Sequence, residues 1–175
     1  MSGLCAARRH TNLVMVGPVG IGGNAPVSVQ SMTKAYARDV GATLAQVEQL
    51  AQAGCEICRL AVPDCESVAA FAAVAARSPL PLVADIHFDY RLALGAIDGG
   101  AAKLRINPGN LGGEEPLRAV AAAASRARVP IRIGVNLGSL EADLARSQGH
   151  TAAAMAESAL RYVRQLEDLG VPGIV

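Results

Sequence analysis

Three arginines, a lysine, an aspartate, a histidine and two asparagines recur on alternate residues of four short apolar segments. The segments are Ile57-Cys58-Arg59-Leu60-Ala61, Val83-Ala84-Asp85-Ile86-His87, Lys103-Leu104-Arg105-Ile106-Asn107 and Ile131-Arg132-Ile133-Gly134-Val135-Asn136. Side chains of an extended chain alternate between two faces. One face therefore collects Arg59, Asp85, His87, Lys103, Arg105, Asn107, Arg132 and Asn136, and the other collects Leu60, Ala84, Ile86, Leu104, Ile106, Ile131, Ile133 and Val135. A guanidinium fork matches phosphate oxygens in pairs and keeps its charge at any physiological pH. Several cations turned inward cost free energy unless water or an anion compensates them. With Asp85 as the one acid among them, the excess positive charge suits a phosphorylated small molecule, and a diphosphate best. Asp85 and His87, two residues apart at a strand end, are the candidates for catalysis. Their plainer readings are a counter-ion for Arg105 or Arg59 and a satisfied core histidine.

The elements that must carry these residues follow from periodicity and punctuation. Leu13–Val16, a Gly-Pro turn and Val19–Ile21 read as a small hairpin. Strands are expected at Val27–Ser31, Glu56–Val62, Leu82–His87, Ala102–Ile106 and Ile131–Asn136, with a further one beginning at Gly173-Ile174-Val175. Helices are expected at Thr43–Ala53, Asp64–Arg77 with Asp64 as N-cap, Tyr90–Asp98, Glu114–Arg128 with acids in its first turn, and Ala152–Leu169. Gly54 and Gly99-Gly100 end two of them.

Strands and helices alternating at intervals of roughly 25–30 residues imply right-handed βαβ units. A doubly wound sheet and a (β/α)8 barrel share that rhythm. In a doubly wound sheet helices cover both faces, and a charged face has no outlet; a barrel opens its lumen at the C-terminal ends of its strands. The expected fold is a TIM-type barrel. A whole barrel takes about 250 residues, so 175 residues supply an incomplete one, with five βα units and the start of a sixth after the hairpin. Residues 1–10 are expected to be flexible and 11–175 to form one domain.

Composition narrows the function classes. A net charge of +1 and an aromatic content of 3% argue against nucleic acid, for which a basic surface or stacking platform is expected. No apolar run approaches the roughly 20 residues of a spanning helix, so no membrane partner is expected. Arg8-Arg9 hints at a twin-arginine signal, but Gly17, Pro18, Gly20, Gly22 and Gly23 break the apolar stretch that should follow, which favours a cytoplasmic protein. Gly20-x-Gly22-x-x-Ala25 matches a loose dinucleotide fingerprint; Pro26 and a strand follow instead of a helix, so the glycines read as turn residues. Cys55-x-x-Cys58, with Cys65 beyond, resembles a metal half-site. Residues three apart on a strand face opposite ways, which makes buried thiols the better reading and leaves no metal ligand set expected here. Asn107–Gly113 is a glycine-rich loop that either cradles an anion with its N–H groups or simply turns the chain.

Val29-Gln30-Ser31-Met32-Thr33, Ala84-Asp85-Ile86-His87-Phe88-Asp89-Tyr90-Arg91, Leu104-Arg105-Ile106-Asn107-Pro108-Gly109-Asn110 and Ile131-Arg132-Ile133-Gly134-Val135-Asn136 resemble the barrel domain of the 4-hydroxy-3-methylbut-2-enyl diphosphate synthase family. The likeness runs from about Thr11 onward. It implies an oxidoreductase of non-mevalonate isoprenoid biosynthesis, which reductively opens 2-C-methyl-D-erythritol 2,4-cyclodiphosphate and expels a hydroxyl as water. Two electrons come from flavodoxin or ferredoxin through a 4Fe-4S cluster. It further implies that Arg59, Arg105 and Arg132 clamp the diphosphate, and that Asp85, His87, Asn107 and Asn136 orient the ring or the clamps. In the family the cluster sits in a separate C-terminal domain, held by three Cys and a Glu, and caps the partner subunit's barrel in a homodimer. None of Cys5, Cys55, Cys58 and Cys65 matches those ligands, so a chain ending at Val175 is expected to bind substrate without turnover. Lys34–Ala37 departs from the Thr and Asn usual there, and Cys58 from an aliphatic. Two other readings stand beside this one: a non-catalytic anion-binding fragment, and a different phosphate-binding barrel such as a pterin-binding transferase.

Overall fold

The computed structural model describes residues 9–175. The segment expected to be flexible thus lies, up to residue 8, outside the described residues, as do Cys5 and Arg8. Strands β1 (Val14–Val16) and β2 (Val19–Ile21) form the expected antiparallel hairpin. Five parallel strands follow: β3 (Gln30–Met32), β4 (Ile57–Val62), β5 (Leu82–Ile86), β6 (Lys103–Ile106) and β7 (Ile131–Ile133). They are hydrogen-bonded in chain order, β3-β4-β5-β6-β7. Each crossover therefore advances one strand in the same direction. A doubly wound sheet must reverse that order at a switch point, whereas a barrel never does. The strand expected at Gly173–Val175 begins as a parallel bridge between Ile131 and Ile174.

Helices α1 (Val40–Gln52), α2 (Cys65–Ala75), α3 (Tyr90–Asp98) and α4 (Glu114–Ala127) lie side by side on the outer face of the sheet. Asp64 caps α2 as expected, accepting from the Ser67 N–H at 2.9 Å. Helix α1 starts three residues before the expected Thr43, because Asp39 accepts the Ala42 N–H at 2.9 Å; such a cap contributes about 1 kcal/mol. Gly54 and Gly100 follow α1 and α3 at φ of +88° and +90°, a left-handed turn that glycine makes without a Cβ clash.

Two further differences bear on the site. Strand β7 ends at Ile133, so Gly134, Val135 and Asn136 belong to the connection and not to the sheet. That connection holds α5 (Ala142–Gln148), which the periodicity does not announce, before the expected final helix α6 (Ala152–Asp168). Within the Gly20–Ala25 segment, Gly20 and Ile21 end β2 and Gly22–Ala25 is a turn, with the Ala25 N–H donating to the Gly22 carbonyl, and no helix follows directly.

The sheet's two faces build two cores. Cys58, Leu60, Val62, Leu82, Ala84, Ile86, Leu104, Ile106 and Ile131 pack outward against the helices. On the concave face, among the described residues, only Ile57 and Val83 are buried apolar residues, and they meet Val16, Val19 and Ile21 of the hairpin. Gly17 sits against Pro81 and Ala102, the residues just before β5 and β6. The hairpin therefore plugs the N-terminal end of the strands, and the polar residues above it open toward the C-terminal end.

Candidate functional site

Register stacks the polar residues in levels. Asp85 on β5 lies beside Arg105 on β6, which lies beside Arg132 on β7, with Ala61 on β4 completing the row. Two residues back toward the floor, Arg59 and Lys103 flank Val83. Adjacent parallel strands are about 4.8 Å apart, so four long cationic side chains share one small concave surface.

Asp85 organises them. It is 6% exposed, and three cationic or basic groups converge on it. Arg105 donates from Nη1 to Oδ1 at 3.2 Å, Arg59 approaches Oδ2 at 3.7 Å, and His87 Nε2 lies 3.4 Å from Oδ1. The His87 ring is also 3.4 Å from Arg105 Nη1. Arg59 donates from Nε to the Met32 sulfur at 3.2 Å, which steadies its stem. The Arg132 side chain, on a strand paired through its backbone to β6, has neither ion pair nor hydrogen bond among the described residues. Lys103 is almost wholly buried and donates to Gln30 Oε1 at 3.3 Å, with no carboxylate at ion-pair distance among the described residues. Burial, and then the charges of Arg132 and Arg59, push its ammonium down from the ordinary lysine range to about 8. One carboxylate thus faces three arginines and a lysine, and the surplus gathers around Arg132 and Lys103.

His87 stands at the mouth. Immediately after it, Phe88 takes φ +66° and is exposed, while the Asp89 N–H turns back to the His87 carbonyl at 2.8 Å. A left-handed conformation is unfavourable for a bulky residue, and at this tight turn both His87 and Phe88 are accessible to solvent.

Asn107 and Asn136 are drawn together by a residue absent from the sequence reading, Ser139. The buried Asn107 donates from Nδ2 to Ser139 Oγ at 2.8 Å, and Ser139 Oγ donates to the Asn136 carbonyl at 3.1 Å. Asn107 Oδ1 is buried without a hydrogen-bond partner among the described residues. Asn136 is exposed at the rim. These two asparagines therefore brace the loops after β6 and β7 against each other, one level above the arginines. The signal in the sequence was the Asn136-x-x-Ser139 spacing, an Asx/Ser capping pattern that opens the 3-10 turn at Leu137–Ser139. Gly134 belongs to the site as well: a methyl there would overlap the Arg105 guanidinium, which lies across it.

The three cysteines among the described residues do not converge. Cys58 faces the helices in the outer core, where burial pushes its thiol up to about 11. Cys55 is tied at the floor to the Ile57 carbonyl at 3.1 Å, and Cys65 is exposed at the start of α2. That arrangement does not fit a 4Fe-4S cluster, which needs ligands around one point. The departing loop at Lys34–Ala37 is held in place: Gln46 Oε1 accepts the N–H groups of Lys34 and Ala35, and Arg38 bonds to Asp64 and Glu66 at the head of α2. No helix among the described residues is long and apolar enough to cross a membrane.

Comparison with known proteins adds three findings. A family model described as the GcpE TIM-barrel domain matches residues 11–175. The 4-hydroxy-3-methylbut-2-en-1-yl diphosphate synthase (flavodoxin) of Geobacter sulfurreducens is 55% identical over 164 residues, covering 93% of this chain and 46% of that protein. Its namesake from Bacillus subtilis is 52% identical over 169 residues, 96% of this chain and 45% of that protein. The chain spans about half the length of the curated relatives it matches. Among solved structures, dihydropteroate synthase of Yersinia pestis superposes with a TM-score of 0.66 at 13% identity, over 91% of this chain and 58% of that one. Phospho-2-dehydro-3-deoxyheptonate aldolase of Thermotoga maritima does so at 0.62 and 12% identity, over 94% and 44%. At such identities the likeness is one of fold.

Proposed function

Because this chain belongs to the GcpE TIM-barrel domain family, we propose that it is the substrate-binding part of a 4-hydroxy-3-methylbut-2-en-1-yl diphosphate synthase, and that its concave face binds 2-C-methyl-D-erythritol 2,4-cyclodiphosphate. The observation that carries the reading is the charge imbalance: Arg59, Arg105, Lys103 and Arg132 around the one carboxylate of Asp85. A diphosphate repairs that imbalance, and a neutral ligand does not.

In this reading Arg132, unpaired, takes the first phosphate contact. Arg105 and Arg59 are pre-set by Asp85, so less side-chain freedom is lost when they close on the anion. His87, at the mouth between Asp85 and Arg105, is placed to hold or pass a proton toward the hydroxyl that leaves as water. Asn107 and Asn136, braced through Ser139, shape the rim that the carbon skeleton meets. The name of the relatives supports an oxidoreductase fed by flavodoxin. The 4Fe-4S cluster, the homodimer contacts and the docking of flavodoxin or ferredoxin belong, in this reading, to a separate domain and not to residues 11–175. A cytoplasmic location goes with the same reading.

Calorimetric titration with the cyclic diphosphate tests it. Binding is expected, and Arg132→Ala should cost about 1.5–3 kcal/mol, roughly tenfold or more in affinity. Equal affinity in the wild type and Arg132→Ala would refute the assignment.

A further inference from the structure

Lys103 is the one basic side chain of the concave face that is both buried and without a charged partner among the described residues. Every element around it either lacks a compensating charge or carries the wrong sign. From β3 it meets the neutral amide of Gln30, from β4 Arg59, from β7 Arg132, and along its own strand Arg105. The acid on β5, Asp85, sits one level higher and already serves Arg105, Arg59 and His87. Toward the floor, Val16, Val19, Ile21, Ile57 and Val83 offer only hydrocarbon. An ammonium in such a place is disfavoured by lost hydration and by its cationic neighbours together.

We propose that Lys103, buried against the neutral Gln30 amide beside Arg59 and Arg132 and with no carboxylate partner among the described residues, is the cation of the clamp whose protonation is coupled to anion binding. Anion affinity and Lys103 protonation then rise and fall together. The proposal rests on the anion-site reading above and adds what that reading leaves unassigned, the role of the buried lysine beneath it. Its consequence follows from linkage. Below the free-protein value of about 8 the lysine is already charged, and affinity is insensitive to pH. Above it, affinity should fall as the pH rises, by at most about tenfold per unit, until the higher bound-state value is passed.

The test uses sulfate, a dianion whose own charge does not change over this range, titrated calorimetrically into the purified chain at about pH 9 in two buffers of different ionisation enthalpy. The expected result is net proton uptake accompanying sulfate binding by the wild type, read from the difference in heats. Lys103→Met, which keeps length and removes charge, should still bind sulfate through the arginines but with no buffer-dependent heat and a flat affinity from neutral to alkaline pH. Wild-type binding without proton uptake overturns the proposal alone, as does uptake that persists in Lys103→Met. Absence of sulfate binding by the wild type at both neutral and alkaline pH overturns the anion-site reading and this proposal with it.

Discussion

Gly134→Ala isolates the geometry of the clamp from its chemistry. Gly134 has no charge and no side chain, yet the Arg105 guanidinium lies across it so closely that an added methyl would overlap the Nε, Cζ and Nη2 region. The backbone at this position is not in the left-handed region, so alanine carries no conformational penalty and gains up to about 1 kcal/mol through the unfolded state. What must yield is the far end of Arg105, which swings off Asp85 and away from the position beside Arg132. Asp85 keeps Arg59 at 3.7 Å and His87 at 3.4 Å, so its carboxylate is not stranded. The loss of one charge-assisted contact is then about 1.5–3 kcal/mol in anion binding, ten- to hundredfold in affinity, against a melting shift of only a few degrees. Calorimetry with the cyclic diphosphate and thermal unfolding measure the two quantities. The double-mutant cycle is decisive: in an Arg105→Ala background the methyl should have no further effect on binding. An equal loss of affinity in both backgrounds would mean that Gly134 acts on something other than Arg105.

Lys103→Met should be more stable than the wild type near pH 7. Its folded-state value of about 8 lies below the ordinary 10.5, so the penalty for the buried ammonium is complete below about 8 and fades as the pH climbs toward 10.5. The gap between variant and wild type should therefore shrink by roughly 3 kcal/mol between neutral and strongly alkaline pH in urea melts, and a constant gap would contradict the account of its burial. Ser139→Ala removes the acceptor that Asn107 uses and the hydroxyl that holds Asn136, leaving a buried amide unpaired at about 1–3 kcal/mol. Hydrogen exchange of the loops after β6 and β7 should accelerate together, and acceleration of only one would break the proposed brace. Anaerobic iron–sulfur reconstitution of this chain should give no stoichiometric visible absorption, because Cys55, Cys58 and Cys65 point to three places. Absorption that Cys58→Ser abolishes would overturn that geometry.

The sequence by itself determined which residues share a face, because alternation along a strand is a local property that survives any arrangement of the strands. Arg59, Asp85, Lys103, Arg105 and Arg132 could be grouped, and Leu60, Ile86, Leu104 and Ile131 set opposite them, with no knowledge of who neighbours whom. Local chemistry also announced the hairpin, the Asp64 cap and the glycine after α1. The barrel over the doubly wound sheet was legible because a charged face needs an outlet, and the unreversed strand order bears this out. Tertiary structure alone decided how the charges pair. The register that sets Asp85 beside Arg105, and the curvature that leaves Arg132 without a partner and carries Lys103 across to Gln30, are properties of several strands at once. The same holds for Gly134, whose hydrogen atom matters only because a side chain from the next strand lies on it. It holds for Ser139 as well, 32 residues from the Asn107 it serves. The end of β7 at Ile133 and helix α5 escaped the sequence for the same reason: packing of the loops over the mouth, rather than any period in their residues, sets where the sheet stops.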